Sequence, residues 1–385
     1  MMVGPYPRSP DKIDGGVAAA VMYLSQSLAR LQGVELVSVR IARDPDDACE
    51  VGRFDWPVVD LHLGRLGLST LYVRQKRQFD QLVGRYRPDV VHGQESDIAG
   101  YLAVGSGLPT VVTVHGILGA CARLQSDFVT RSRAMLAAGL TERSTIRRAA
   151  DLIAISSYIT RYYANDIRGR VHHIPNAVAS SFFGIRRSPE RGRLLYAGRI
   201  SNGKGLIELV RAFSKALTPS SRLVLAGAAP DAGYQRFVRA EVESLGMGDR
   251  VVFAGLLDEG ALHREFAAAE ALILPSFQET APMVIQEAMA AGLAVIATDV
   301  GGIPDQVEEG VTGLLCRPGD VDGLARAILA VGSDPRVTEA FGSVARHRAR
   351  ERYQASAVAE ATLRVYQGAV AAGAGVTGKR SGGGR

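Results

Sequence analysis

The chain has 385 residues, with 45 Lys and Arg against 39 Asp and Glu, a formal charge of +6. Hydrophobic residues make up 47% and charged residues 22%, which excludes a largely disordered chain, and 43 Gly and 16 Pro without a collagen-like period exclude a fibrous one. At roughly 150 residues per domain the length allows two or three domains. Cys49, Cys121 and Cys316 lie far apart and form no CxxC pair, so a disulfide framework or a zinc site is not expected and a reducing compartment is. No apolar run reaches the roughly 18 residues of a membrane-spanning helix, and the N-terminus lacks a charged start followed by an apolar core. A cytoplasmic protein is expected. Residues 371–385 hold Lys379, Arg380, Arg385 and no acid, so this Gly-rich tail, expected to be disordered, supplies +3 of the +6. The remaining surplus is too thin to predict a nucleic-acid partner.

In chain order, the N-terminus is unusual. A doubly wound domain opens with a buried strand of several apolar residues, yet only Met1, Met2 and Val3 precede Gly4-Pro5-Tyr6-Pro7. The expectation is a start placed a few codons late that clips the first strand. Val17, Val21, Leu24, Leu28 and Leu31 then step by four and three, which predicts one apolar helix face. Continuous apolar runs follow at Asp89–His92, Thr110–Val114, Leu152–Ile155 and Val171–Ile174. A second series lies at Leu194–Ala197, Leu223–Ala226, Val251–Ala254, Ala271–Leu274 and Ala294–Ala297. Such runs suit parallel strands buried on both faces, and helical stretches between them imply right-handed crossovers. Residues 179–193, rich in Arg, Ser and Gly, read as a linker. The expected organisation is a first domain over 1–180, a second over 190–355, and a C-terminal helix over 356–370 that packs on either domain.

In open α/β sheets ligands bind beyond the carboxyl ends of the strands. After Leu194–Ala197 comes Gly198-Arg199-Ile200-Ser201-Asn202-Gly203-Lys204-Gly205. Its glycines let the backbone approach a ligand, and its two cations can clamp a diphosphate, although two solvated cations in a surface turn fit equally. After Ala271–Leu274 comes Pro275-Ser276-Phe277-Gln278-Glu279, then Thr280, Ala281, Pro282 and Met283. Pro282 fits the first turn of a helix that carries Glu287. A carboxylate can accept both protons of a vicinal diol, so Glu279 and Glu287 suit sugar hydroxyls; each alone is equally a helix-dipole or solvated carboxylate. His115 ends the run Thr110–Val114 ahead of Gly116, where a lone histidine is more often structural. His92, His172 and His173 are read as structural, and Asn176 as ordering its turn.

Taken together, AGRIxxxKG at 197–205, PSxxE at 275–279, EAMAxG at 287–292 and VIATxVGGIPDxVxxGxTGLL at 295–315 resemble glycosyltransferase family 4. The resemblance extends to Gly15-Gly16, to DVVH at 89–92, to TVHG at 113–116 and to IPNAV at 174–178, and so covers the chain to about residue 355. It implies an α/β fold of GT-B type, two Rossmann-like domains facing a central cleft. It implies transfer of a hexose-type sugar from a UDP- or GDP-sugar to an acceptor hydroxyl with retention, without an essential metal, in polysaccharide or glycolipid synthesis. By the same resemblance Arg199 and Lys204 hold the diphosphate, Glu279 and His115 meet the transferred sugar, and Glu287 takes the nucleotide ribose. Gly15 and Gly16 let the first helix approach the phosphates. Thr280-Ala281-Pro282 stands where the family usually has Gly-Phe-Gly, so amide contacts at Ala281, Pro282 and Met283 depart from the pattern. The alternatives are a GT-B epimerase or phosphorylase, or a non-catalytic binding subunit. The implied acceptor is a sugar, a lipid-linked molecule or another small molecule, selected by loops such as 43–76. Arg123, Arg131, Arg133, Arg143, Arg147 and Arg148, interleaved with Phe128, Met135, Leu136 and Leu140, form either a membrane-surface stretch or a solvated helix face.

Overall fold

A computed structural model of the chain describes residues 1–10, 13, 15–42, 53–63, 72–123 and 128–380. Cys49 and most of the loop 43–76 lie outside the described residues. The chain forms two compact units, residues 1–177 with 355–385, and residues 178–354.

The first unit carries β1 (Met2–Gly4), β2 (Ser38–Ala42), β3 (Val58–His62), β4 (Val91–Gln94), β5 (Thr110–Val114), β6 (Asp151–Ala154) and β7 (Arg170–His173). They form one parallel sheet in the order β3-β2-β1-β4-β5-β6-β7. The order reverses direction between β1 and β4, which is the switch point where a crevice opens at the carboxyl ends. The second unit carries β8 (Arg193–Ala197), β9 (Arg222–Ala226), β10 (Val251–Gly255), β11 (Ala271–Leu274), β12 (Ala294–Thr298) and β13 (Gly313–Cys316). Its sheet is also parallel, ordered β10-β9-β8-β11-β12-β13, with the switch between β8 and β11.

β2, β3 and β13 are strands that apolar runs do not announce. In β2 and β3 the reason is an ion pair within the sheet: Arg40 Nε donates to Asp60 Oδ1 at 2.7 Å, with the arginine side chain 3% exposed. A charge at the centre of each strand interrupts its apolar run, and pairing makes that charge tolerable there. β13 offers only Leu314 and Leu315 between Gly313 and Cys316.

The segment 179–193, expected as a linker, is folded onto the second unit. Phe182 is buried and meets Phe266 edge-on at 5.5 Å, and Ile185 is buried as well. The tail expected to be disordered over 371–385 is corrected over 371–380, which continue a helix, and 381–385 lie outside the described residues. One helix runs Ala355–Arg380, and Ala371, Ala372 and Ala374 favour it where the glycines do not. Val358, Ala359, Val365, Tyr366 and Ala369 from this helix join Met2, Val21, Met22, Leu24 and Leu28 in the core of the first unit. The first helix, Gly16–Leu28, buries the expected face but ends before Leu31.

Candidate active site

In the second unit the loops after β8 and β11 leave adjacent strands at the switch point. Two close backbone contacts fix the first of them. Gly205 has φ +69°, and a Cβ there would stand 2.0 Å from Pro275 O; Gly227 has φ +142°, and its Cβ would stand 1.9 Å from Gly198 O. Only glycine fits either position. Phe277 N donates to Gly203 O at 2.9 Å, which ties the two loops together.

These contacts bring Lys204 to Glu279. Lys204 Nζ donates to Glu279 Oε1 at 2.6 Å, and Ser276 Oγ donates to the same oxygen at 2.8 Å. The side chains are 24% and 12% exposed, so the pair is shielded yet reachable. Arg199 lies on the same loop with its side chain exposed and makes no ion pair among the described residues. Tyr196 Oη holds the Arg199 carbonyl at 2.8 Å.

The helix Met283–Ala291 begins one residue later than expected, with Pro282 as its N-cap rather than in its first turn. Pro282 has no N–H to lose at either place, and its φ of −63° suits both. Ala281, Pro282 and Met283 are all buried. The amides of Met283 and Val284 start the helix and find no intramolecular acceptor among the described residues, so they are free for an anion. Glu287 sits one turn further in. Burial pushes its carboxyl up to about 7, with a smaller contribution from the negative charge of Glu259.

Gly15, Gly16 and His115 belong to the first unit. Gly15 caps the helix Gly16–Leu28 with φ +99°, and nothing lies within 4 Å of the place its Cβ would take. His115 follows β5 and is 8% exposed. Its Nε2 lies 2.8 Å from Gln94 Oε1, an acceptor, so Nε2 carries the proton and Nδ1 is the free lone pair. Nδ1 is buried and has no partner among the described residues. Burial pulls the imidazole down to about 4, only partly offset by the neighbouring Asn176 side chain, so it is neutral at physiological pH. His115, Gln94 and Asn176 line a cavity of about 10 Å³, the lower limit for one water.

Gln94 was missed from sequence. It extends a buried polar chain: His92 Nε2 lies 2.7 Å from Thr113 Oγ1 and His92 Nδ1 lies 2.6 Å from Tyr366 Oη. Gln94 Nε2 approaches His92 Nδ1 at 3.2 Å. The signal was present as alternation, because His92 and Gln94 on β4 and Thr113 and His115 at β5 are two residues apart and share a face. Glu95 was missed too. It has φ +137° at the end of β4, and its Oε2 accepts from Gly116 N at 3.2 Å. Of the other histidines, His172 Nε2 meets Asp151 Oδ1 at 2.8 Å, a structural partner as expected.

In the basic stretch, helices Phe128–Ala137 and Arg143–Arg148 flank one π-helical turn, Ala138–Glu142. Met135, Leu136 and Leu140 are exposed, while Arg143 and Arg147 pair with Asp166. Among the described residues no helix is long and apolar enough to cross a membrane.

Two parallel sheets flanked by helices, each with one reversal of strand order, match the GT-B architecture. Over 96% of this chain and 99% of the other, the structure superposes on sucrose-phosphate synthase from Thermosynechococcus elongatus with a TM-score of 0.82 at 23% identity. It superposes on Anabaena HepE, solved with UDP-glucose, with a TM-score of 0.74 at 21% identity over 95% and 98%. Residues 14–182 match the family described as Glycosyltransferase Family 4, and residues 180–348 match Glycosyl transferases group 1. Together the two matches run from residue 14 to residue 348, both to families of glycosyl transferases. The chain is 31% identical over 251 residues to the alpha-maltose-1-phosphate synthase of Mycobacterium tuberculosis H37Rv, a match that spans 59% of this chain and 65% of that protein. It is 29% identical to the Mycolicibacterium smegmatis protein of the same name, over 93% of this chain and 96% of that one.

Proposed function

We propose that the chain transfers a hexose-type sugar from a nucleoside diphosphate sugar, UDP- or GDP-linked, to an acceptor hydroxyl with retention at the anomeric carbon. The observation that carries this reading is the Lys204–Glu279 pair, 2.6 Å apart at the switch point between β8 and β11. A cation and a carboxylate side by side suit the two halves of such a donor. Lys204 and Arg199 would neutralise the diphosphate and stabilise it as it leaves, and Glu279 would accept hydrogen bonds from the sugar hydroxyls. The free amides of Met283 and Val284 add donors for phosphate, and Glu287 suits the ribose diol. In the first unit, taken by itself, His115 Nδ1 is an acceptor that suits a sugar hydroxyl, and Gly15-Gly16 leave backbone room that suits a phosphate.

In this mechanism the acceptor oxygen attacks the face from which the diphosphate departs. The anomeric C–O bond breaks first, the positive charge spreads over the ring oxygen, and the acceptor proton goes to the leaving phosphate oxygen. Two protein cations on the diphosphate make a metal dispensable. The acceptor, a sugar, a lipid-linked molecule or another small molecule, is suggested by the resemblance rather than by this site.

The test is release of nucleoside diphosphate that depends on an added acceptor, with the product's anomeric configuration read by NMR. Acceptor-dependent release with a retained configuration, unchanged by chelator, is expected. An inverted product or donor isomerisation without release contradicts the reading. Membrane contact is part of the proposal, through the exposed Met135, Leu136 and Leu140 beside Arg131. The protein should sediment with anionic liposomes at low salt and not with neutral ones, and no sedimentation with either would remove that part.

A further inference from the structure

The second unit has a cavity of about 400 Å³ at the amino edge of its sheet, the edge opposite Lys204 and Glu279. Arg187, Arg191, Glu270, Gly292, Ser343 and Arg346 are among its walls. Glu270 directly precedes β11 and Gly292 lies just ahead of β12, while Ser343 and Arg346 come from the helix Pro335–Arg352. A volume of this size suits a small organic ligand.

The walls carry three cations, Arg187, Arg191 and Arg346, against two acids, Glu270 and Glu339. Arg187 Nη1 donates to Phe266 O at 2.5 Å and to Ala267 O at 3.4 Å. Arg346 donates from Nη1 to Ile185 O at 3.3 Å and from Nη2 to Phe183 O. Every one of these acceptors is a neutral carbonyl at or near a helix C-terminus, and neither guanidinium forms an ion pair among the described residues. Arg346 Nε is buried with no partner. Glu270 is the acid beside Arg187, and its Oε2 is already engaged by Gly192 N at 2.8 Å. Burial pulls the Arg187 guanidinium down to about 10, with Glu270 only partly offsetting it. Burial and then the like charge of Arg350 pull Arg346 down. Helix capping accounts for only some of the five N–H groups of each arginine, and both side chains line the cavity. Half-buried guanidinium groups that form no ion pair are costly unless an anion joins them, and the planar guanidinium fork matches phosphate oxygens.

We propose that this cavity is a second anion site, separate from the donor site, which takes a phosphoryl group as free phosphate or as the ester of a small molecule. The inference goes beyond the proposed transferase activity and does not depend on it. Thermal melting of the full chain in phosphate-free buffer tests it, with inorganic phosphate and glucose 6-phosphate as separate probes against chloride of matched ionic strength. Binding to the folded chain raises Tm by mass action. The expected result is a saturable rise that persists in Lys204→Ala, where the donor site is impaired. It should disappear in Ser343→Glu, which puts a negative charge at the exposed rim without touching a capping contact, and shrink in Arg346→Gln. A rise with glucose 6-phosphate alone assigns the site to an ester, and one with inorganic phosphate alone to free phosphate; either supports the proposal. No rise above chloride, an undiminished rise in Ser343→Glu, or a rise lost in Lys204→Ala would each overturn it.

Discussion

Glu287 is where burial and proposed chemistry meet. Its carboxyl, moved from 4.5 up to about 7 by desolvation, is partly protonated near neutral pH. The sign follows from linkage. Between the unfolded and folded values the folded chain holds a proton that the unfolded chain has released, so stability falls as pH rises through that window. Glu287→Gln removes this dependence, and its Tm should gain on the wild type as pH rises from about 5 to about 8. A Tm difference that is constant across that range would contradict the assignment. Nucleoside diphosphate should also bind more tightly as pH passes through about 7, because only the ionised carboxyl accepts from both ribose hydroxyls. Lys204, Glu279 and Glu287 were legible in the sequence because each follows a run that reads plainly as a strand. Gln94 was not, because glutamine carries no charge or motif of its own and acts through the tautomer it imposes on His115. Glu95 was not, because its significance lies in a backbone φ of +137° that no residue pattern announces.

At the scale of elements, the helix Ala355–Arg380 completes the first unit. It contributes Val358, Val365 and Tyr366 to that unit's core, and the Tyr366 hydroxyl closes on His92 at 2.6 Å. Burying one large apolar side chain is worth about 1.5–3 kcal/mol. A chain ending at residue 354 should therefore lose cooperative melting of the first unit, whereas Tyr366→Phe should keep the fold and cost about 1–3 kcal/mol. A 354-residue form that melts like the full chain would refute this reading of the helix. Strand runs buried on both faces, such as β5, β9 and β12, could be read directly. β2 and β3 could not, since the Arg40–Asp60 pair satisfies across strands what each strand alone makes look polar. The packing of 179–193 was hidden for a similar reason. Phe182 and Ile185 are few among polar neighbours, and only their partner Phe266, far along the chain, shows that they are core.

At the scale of the whole molecule, the chain leaves its first unit at Ala177 and returns to it at Ala355. The return was only an alternative from composition, because an amphipathic helix does not name its partner. The basic surplus, too thin from the start to predict a nucleic-acid partner, resolves in part into local roles. Arg143 and Arg147 serve Asp166, Arg187 and Arg346 hold helix ends beside a cavity, and Lys204 stands against Glu279. The central claim is that Lys204 and its loop hold the diphosphate of a nucleotide sugar. Its most direct test is a thermal-shift series of UDP-, GDP- and ADP-sugars on the wild type and Lys204→Ala. At least one donor should raise the wild-type Tm, and that donor should raise the variant's far less, with turnover down by about 10²–10³. No shift with any donor, or an equal shift in both proteins, would contradict the account.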